Sequence, residues 1–121
     1  MSNPFDDQAT FMTACGQTVD ELNSKQFELY YDLIREEVHE LAEAKENNDK
    51  VECLDALIDI LVVTIGAIHS MGADAQGAWN EVVRSNMSKI DPATGKVIKR
   101  DDGKILKPAN WSPPNLTKYV D

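Results

Sequence analysis

Two groups of carboxylates carry the chemistry open to this chain. Glu36, Glu37 and Glu40 form one, and Glu52, Asp55 and Asp59 form the other. At about 100° per residue on a helix, the first three fall within a quarter-turn stripe, and the second three within a narrower one. Asp59 runs into Ile60-Leu61-Val62-Val63-Thr64-Ile65, with Leu54, Leu57 and Ile58 on its other side. A helix apolar nearly all round is expected to be buried, and buried carboxylates are costly unless something positive meets them. No Lys or Arg lies between Val51 and Glu81. The sequence therefore points to a metal ion as the missing positive charge.

Carboxylates clustered without cysteines or paired histidines select a hard divalent cation, Mg²⁺ or Mn²⁺, over zinc or copper. Mg²⁺ commonly keeps several waters and shares itself with substrate phosphates, neutralising their charge and acidifying a bound water. Glu37, at the edge of its stripe, is the candidate carboxylate to orient that water or accept its proton. Glu43 and Glu46 read as a solvated face. His39 follows Glu36 by three residues, the Glu-x-x-His spacing of carboxylate-bridged di-iron bundles. That keeps a di-iron carboxylate protein as one alternative. With a single such pair per chain, His39 reads better as a surface or supporting residue. A non-catalytic helical interaction module is the other alternative.

Helices must position these stripes. Asn3 before Pro4 is a cap and first-turn signal for a helix that carries Phe5, Phe11 and Met12 inward and stops at Gly16. Asn23 or Ser24 caps a second helix from about Lys25 to Asn47, with Phe27, Tyr30, Tyr31, Ile34, Val38 and Leu41 as its apolar positions. Asp49, paired with Glu52, starts a third that runs to Met71 and ends at Gly72. The short link between them makes the second and third helices antiparallel neighbours, so their acidic stripes face each other. A fourth begins near Asp74, carries Ala75, Ala78, Trp79, Val82 and Val83, and ends around Met87. Tyr30, Tyr31 and Trp79 read as core aromatics. Beyond Lys89, Asp91 to Gly95 is a turn, Lys96 to Arg100 and Lys104 to Lys107 are strands around Asp101-Asp102-Gly103, and a Pro-rich extended tail carries Trp111.

The expected fold is all-α: an antiparallel bundle of about four helices with a short C-terminal β-hairpin and an extended tail. The 121 residues suit one domain, with a helical core over 1–89 and the hairpin and tail over 90–121. Cys15 and Cys53 read as buried thiols, and neither a signal peptide nor a membrane span is visible, so the expected location is cytoplasmic. The net charge of −9 argues against a nucleic-acid partner. It is unevenly placed: the chain up to Val83 is strongly acidic, whereas Arg84 onward holds 8 of the 12 basic residues. That suits a small polyanion held between a metal and lysines, with Lys89, Lys104 and Lys107, and Trp111 beside them, as candidate substrate-binding residues. The apolar circumference of the third helix leads to an expected homodimer or homotetramer.

Arg35-Glu36-Glu37-Val38-His39-Glu40-Leu41 and Asp55-Ala56-Leu57-Ile58-Asp59-Ile60-Leu61 resemble the all-α nucleoside triphosphate pyrophosphohydrolases. That superfamily includes MazG, dimeric dUTPases and phosphoribosyl-ATP pyrophosphohydrolase. The resemblance extends to Ser85-Asn86-Met87-Ser88-Lys89 and to Asp102-Gly103-Lys104-Ile105-Leu106-Lys107. It implies an oligomeric helical bundle and Mg²⁺-dependent cleavage of a nucleoside triphosphate to a monophosphate and pyrophosphate. The Glu-Glu-x-x-Glu motif falls on Glu36, Glu37 and Glu40, and the closing Asp on Asp59. Where the family usually has another acid, three residues before that Asp, this chain has Ala56. Asp55 or Glu52 is then the remaining ligand. Asn86 and Lys89 match positions expected near the substrate's phosphates.

Overall fold

The computed structural model describes residues 3–120. Asn3 caps α1 (Pro4–Ala14), its side-chain oxygen accepting from the Asp6 amide at 2.9 Å. Pro4 stands where a missing N–H costs nothing. Asn23 caps α2 (Ser24–Glu46) through the Gln26 amide at 3.1 Å, and Asp49 caps α3 (Lys50–Ser70) through the Glu52 amide at 3.1 Å. Each cap satisfies a donor that the first helical turn leaves orphaned. Gly16 and Gly72, both at φ +76°, supply the left-handed turns beyond α1 and α3. α4 (Ala75–Met87) follows.

The chain divides into two compact units, one running through Ala75 and including Val120, the other Gln76–Tyr119. In the first, α2 and α3 form the principal helix pair and α1 lies against α3. Its core gathers Met12, Tyr30 and Ala67, with Val19, Phe27, Leu33, Ile34 and Val63 packed around them. Small residues line the inner side of α3, where Ala56, Gly66 and Ala67 are all buried. Buried polar groups brace the link between α1 and α2. Gln26 accepts from the Thr18 amide and donates to the Thr18 carbonyl and Ser70 Oγ. His69 lies with Nδ1 2.8 Å from Asp20 Oδ1 and Nε2 3.0 Å from the Phe5 carbonyl oxygen.

Several expected core positions fall outside. Tyr31 and Val38 are about half exposed, because they lie roughly a quarter-turn from the face that Phe27, Tyr30 and Ile34 define. Leu33 takes a place in the core that the sequence did not assign it. Phe11 (59% exposed) and Trp79 (57%) are also outward, Cys15 is exposed and Cys53 only part-buried. The largest difference concerns α3. Its outer side leaves Leu54, Leu57, Ile58 and Leu61 48–62% exposed, because α2 covers only one side of it.

The second unit holds α4 and a three-stranded antiparallel sheet, β1 (Ile90–Asp91), β2 (Lys96–Lys99) and β3 (Ile105–Leu106), in that order. The hairpin expected from sequence is β2–β3, with Ile98 opposite Leu106. β1 adds a strand not foreseen, with Ile90 opposite Val97. A two-residue strand carries too little alternation to be read from sequence. Among the described residues, no helix is long and apolar enough to cross a membrane.

Candidate active site

Four carboxylates from α2 and α3 interact where the helices pair. Glu37 Oε2 is fully covered and has no hydrogen-bond partner. Burial pushes the Glu37 carboxyl up to about 7, assisted by its hydrogen bond to Glu40 and by the charges of Glu40, Asp59 and Asp55. Asp59 is likewise pushed up, by burial first and then by Asp55, to which it is hydrogen-bonded, and by Glu40. Glu37 on α2 and Asp59 on α3 thus each resist ionisation, through burial and through the acidic neighbours Glu40 and Asp55.

Asp59 is part-buried, as its place among apolar residues suggested, but Asp55 is exposed. The expectation that both are buried fails for Asp55, which α2 does not cover. Glu36 is exposed, and the four interacting carboxyls do not include it. Glu52 is also exposed, and its backbone amide, not its side chain, completes the Asp49 cap. It does line a cavity of about 270 Å³ with Glu40, Glu43, Asn47, Asp49 and Asp55, closed by the buried Ala44 and Ala56. Ala56 therefore marks space between the helices. Asn47 and Asp49 were read only as a helix break and a cap, and nothing in their spacing announced a cavity. His39 pairs with Glu43 at 3.1 Å, both largely in solvent. Among the described residues, no three His, Cys, Asp or Glu side chains are already gathered as a metal-holding cluster.

The other expected site residues lie in the second unit. Lys89 Nζ donates to Asn86 Oδ1 at 3.2 Å at the end of α4. Lys104 and Lys107 are exposed, and the Lys107 ammonium stands 4.3 Å from the centre of the half-buried Trp111 ring.

Four helices with a small C-terminal antiparallel sheet fit the MazG-like, all-α nucleoside triphosphate pyrophosphohydrolase superfamily. Within it, the profile of the phosphoribosyl-ATP pyrophosphohydrolase family matches residues 9–86. The chain belongs to that family, whose members are hydrolases of phosphoric anhydride bonds. A search among curated proteins finds no match to the chain.

Proposed function

We propose that this protein is a metal-dependent pyrophosphohydrolase that cleaves nucleoside or deoxynucleoside triphosphates to the monophosphate and pyrophosphate. The observation that carries the reading is the crowding of Glu37, Glu40, Asp55 and Asp59, including a covered carboxylate oxygen without a partner. Burial and acidic neighbours raise Glu37 and Asp59, a cation would relieve that crowding, and an all-oxygen donor set suits Mg²⁺, or Mn²⁺ in its place. Glu40, Asp55 and Asp59 would hold it, with Glu36 and Glu52 within the same stripes. The ion would supply charge neutralisation at the phosphates and a more acidic water. Glu37 has a covered, unpartnered oxygen and a carboxyl raised to about 7, which suits a general base working near neutral pH. Asn86, Lys89, Lys104, Lys107 and Trp111 are assigned to the substrate, the lysines offsetting phosphate charge left over by the metal. Such an enzyme works on the cytoplasmic nucleotide pool.

The family's name favours a second reading, in which the substrate is phosphoribosyl-ATP or a close relative. One experiment separates these readings. Purified protein with Mg²⁺ is offered the common NTPs, dNTPs and phosphoribosyl-ATP, and products are resolved as monophosphate plus pyrophosphate or diphosphate plus phosphate. Release of orthophosphate, or no turnover with any of them, would reject the proposal.

We also propose that the protein works as a homo-oligomer, a dimer or tetramer. Leu54, Leu57, Ile58 and Leu61 form a continuous apolar band on α3, and a second copy presenting the same band covers it by two-fold symmetry. Leu61→Glu is expected to shift the mass measured by light scattering to that of the monomer. An unchanged mass would place the interface elsewhere.

A further inference from the structure

Between Pro108 and Asn115 the chain has no regular secondary structure, yet most of its polar backbone contacts are made by one stripe of α4 and the turn that follows it. Glu81, Arg84, Ser85 and Ser88 follow the i, i+3, i+4, i+7 spacing of a single helix face. Arg84 donates to Ser112 Oγ at 2.8 Å and to the Pro113 carbonyl at 3.2 Å. Its guanidinium is oriented for this by Glu81, which it meets through Nε at 2.7 Å and Nη2 at 3.2 Å. The other oxygen contact of Glu81 goes to the tail itself, accepting from the Asn115 amide at 2.7 Å. Ser85, 3% exposed, donates to the Ser112 carbonyl at 2.8 Å, and Ser88 Oγ accepts from the Ser112 amide at 3.3 Å. Asn110 donates to the Ser88 carbonyl at 3.2 Å. Pro113 and Pro114 bring no N–H that needs a partner. The tail is thus held by side chains where a strand would use a ladder.

This clasp brackets Trp111 on both sides, and Lys107 rests on the Trp111 ring. Asn86 in the last turn of α4 and Lys89 just beyond its end are next to Ser85 and Ser88 in the chain. We infer that Arg84 is a positioning residue: by clasping Ser112 and Pro113 it fixes Lys107 and Trp111 relative to Asn86 and Lys89. The inference rests on the proposed assignment of those four side chains to the substrate. A planar guanidinium reaches the Glu81 carboxylate and two tail oxygens together, which a lysine ammonium on a flexible stem does not reproduce. Held in place, the binding groups meet substrate without first being ordered.

The test compares Arg84→Ala, Arg84→Lys and Ser112→Ala in full-length protein carrying Trp79→Phe, so that Trp111 alone reports. Far-UV circular dichroism checks the fold, and Ser112→Ala, at an exposed position, serves if Arg84→Ala does not fold. Without nucleotide, Arg84→Ala is expected to raise acrylamide quenching of Trp111 and chymotryptic cleavage after Trp111 several-fold. With substrate, KM is expected to rise about tenfold with kcat within about twofold, and Arg84→Lys to fall between. Quenching and cleavage that stay at the wild-type level overturn the clasp, whatever the protein hydrolyses. A freed Trp111 with unchanged KM overturns the positioning role by removing Lys107 and Trp111 from the substrate site. A wild-type protein inactive on every nucleotide fails the proposed function while leaving the first two readouts to judge the clasp.

Discussion

Glu37→Gln offers the sharpest test of the carboxylate crowding, because it removes one ionisable oxygen pair and keeps the shape. In the fold the Glu37 carboxyl is raised from the ordinary 4.5 to about 7, first by burial and then by Glu40, Asp59 and Asp55. The unfolded chain lets it ionise near 4.5. Below that pH both states hold the proton and the group contributes nothing. Between 4.5 and 7 the unfolded state has lost the proton and the fold still binds it, so stability falls as pH rises. Above 7 the full penalty is present. At about 1.4 kcal/mol per tenfold change in proton affinity the limit is about 3 kcal/mol. Glu37 is only part-buried, and solvent screening lowers this to about 1–2 kcal/mol.

The measurement is urea unfolding in EDTA at pH 5 and pH 8. At pH 5 the variant and wild type are expected to match closely. At pH 8 Glu37→Gln is expected to be more stable by about 1–2 kcal/mol, a midpoint shift of about 1 M for a slope of 1–2 kcal/mol per molar. Glu81 and Asp102 are both held low by arginine partners and titrate below this window, so they do not enter the comparison. Mg²⁺ should close the gap at pH 8, since the wild type then regains a partner for its charge. A difference between variant and wild type that is the same at both pH values would refute the reasoning. So would a deficit of Glu37→Gln at pH 8 in EDTA.

Asp59→Asn is expected nearly to abolish Mg²⁺-dependent turnover while metal-free thermal stability holds or rises, and a collapse of the fold would make Asp59 structural instead. Asp55→Asn measured beside Glu52→Gln assigns the remaining ligand, with the larger loss of Mg²⁺ affinity expected from Asp55. Lys89→Ala is expected to raise KM for triphosphates and lower turnover; wild-type kinetics would leave the Lys89–Asn86 pair as a surface contact. Gly66→Ala is expected to destabilise by up to about 2 kcal/mol, since overpacking costs about 1–3 and better helix propensity returns about 1. Calorimetry showing an equal or higher Tm would mean that Tyr30 yields freely.

The helices were legible because their ends are chemically marked. Asn3-Pro4, Asn23, Asp49, Gly16 and Gly72 are local signals, and each acts where it was read. The acidic stripes were legible for a related reason, since helical phase alone brings Glu37 toward Glu40 and Asp55 toward Asp59. Burial was not, because it depends on what covers a face. Asp55, Tyr31 and Val38 lie close in angle to covered positions, yet no element of the first unit is laid over them. His69 was equally hidden. Its partners, Asp20 and the Phe5 carbonyl, are 49 and 64 residues away in sequence, and a backbone oxygen leaves no mark in a motif.

What brings the carboxylates together is the register of α2 against α3, and that register is set by residues with no chemistry of their own. Tyr30 lies against Gly66, where a Cβ would stand 2.7 Å from Tyr30 Cζ and nearer still to the ring edge. The ring cannot easily withdraw, being 4% exposed and tied through its hydroxyl to Gln17 Oε1 at 2.5 Å. Seven residues on from Tyr30 is Glu37, and seven back from Gly66 is Asp59. In an antiparallel pair those positions are again neighbours, two turns along. Seven further on from Glu37 is Ala44, and three back from Asp59 is Ala56, both buried beside the acidic cavity. Large against absent and then acid against acid, the succession lets the helices approach closely at one end, and about 270 Å³ stays open at the other, lined by Ala44 and Ala56. An acid at position 56 would project into that space. With alanine there, the α3 carboxylates are Asp55 and Asp59, one turn apart, on the edge of α3 that faces Glu37 and Glu40. The site's position is therefore set by the Tyr30–Gly66 contact, and its shape by what Ala56 leaves unfilled.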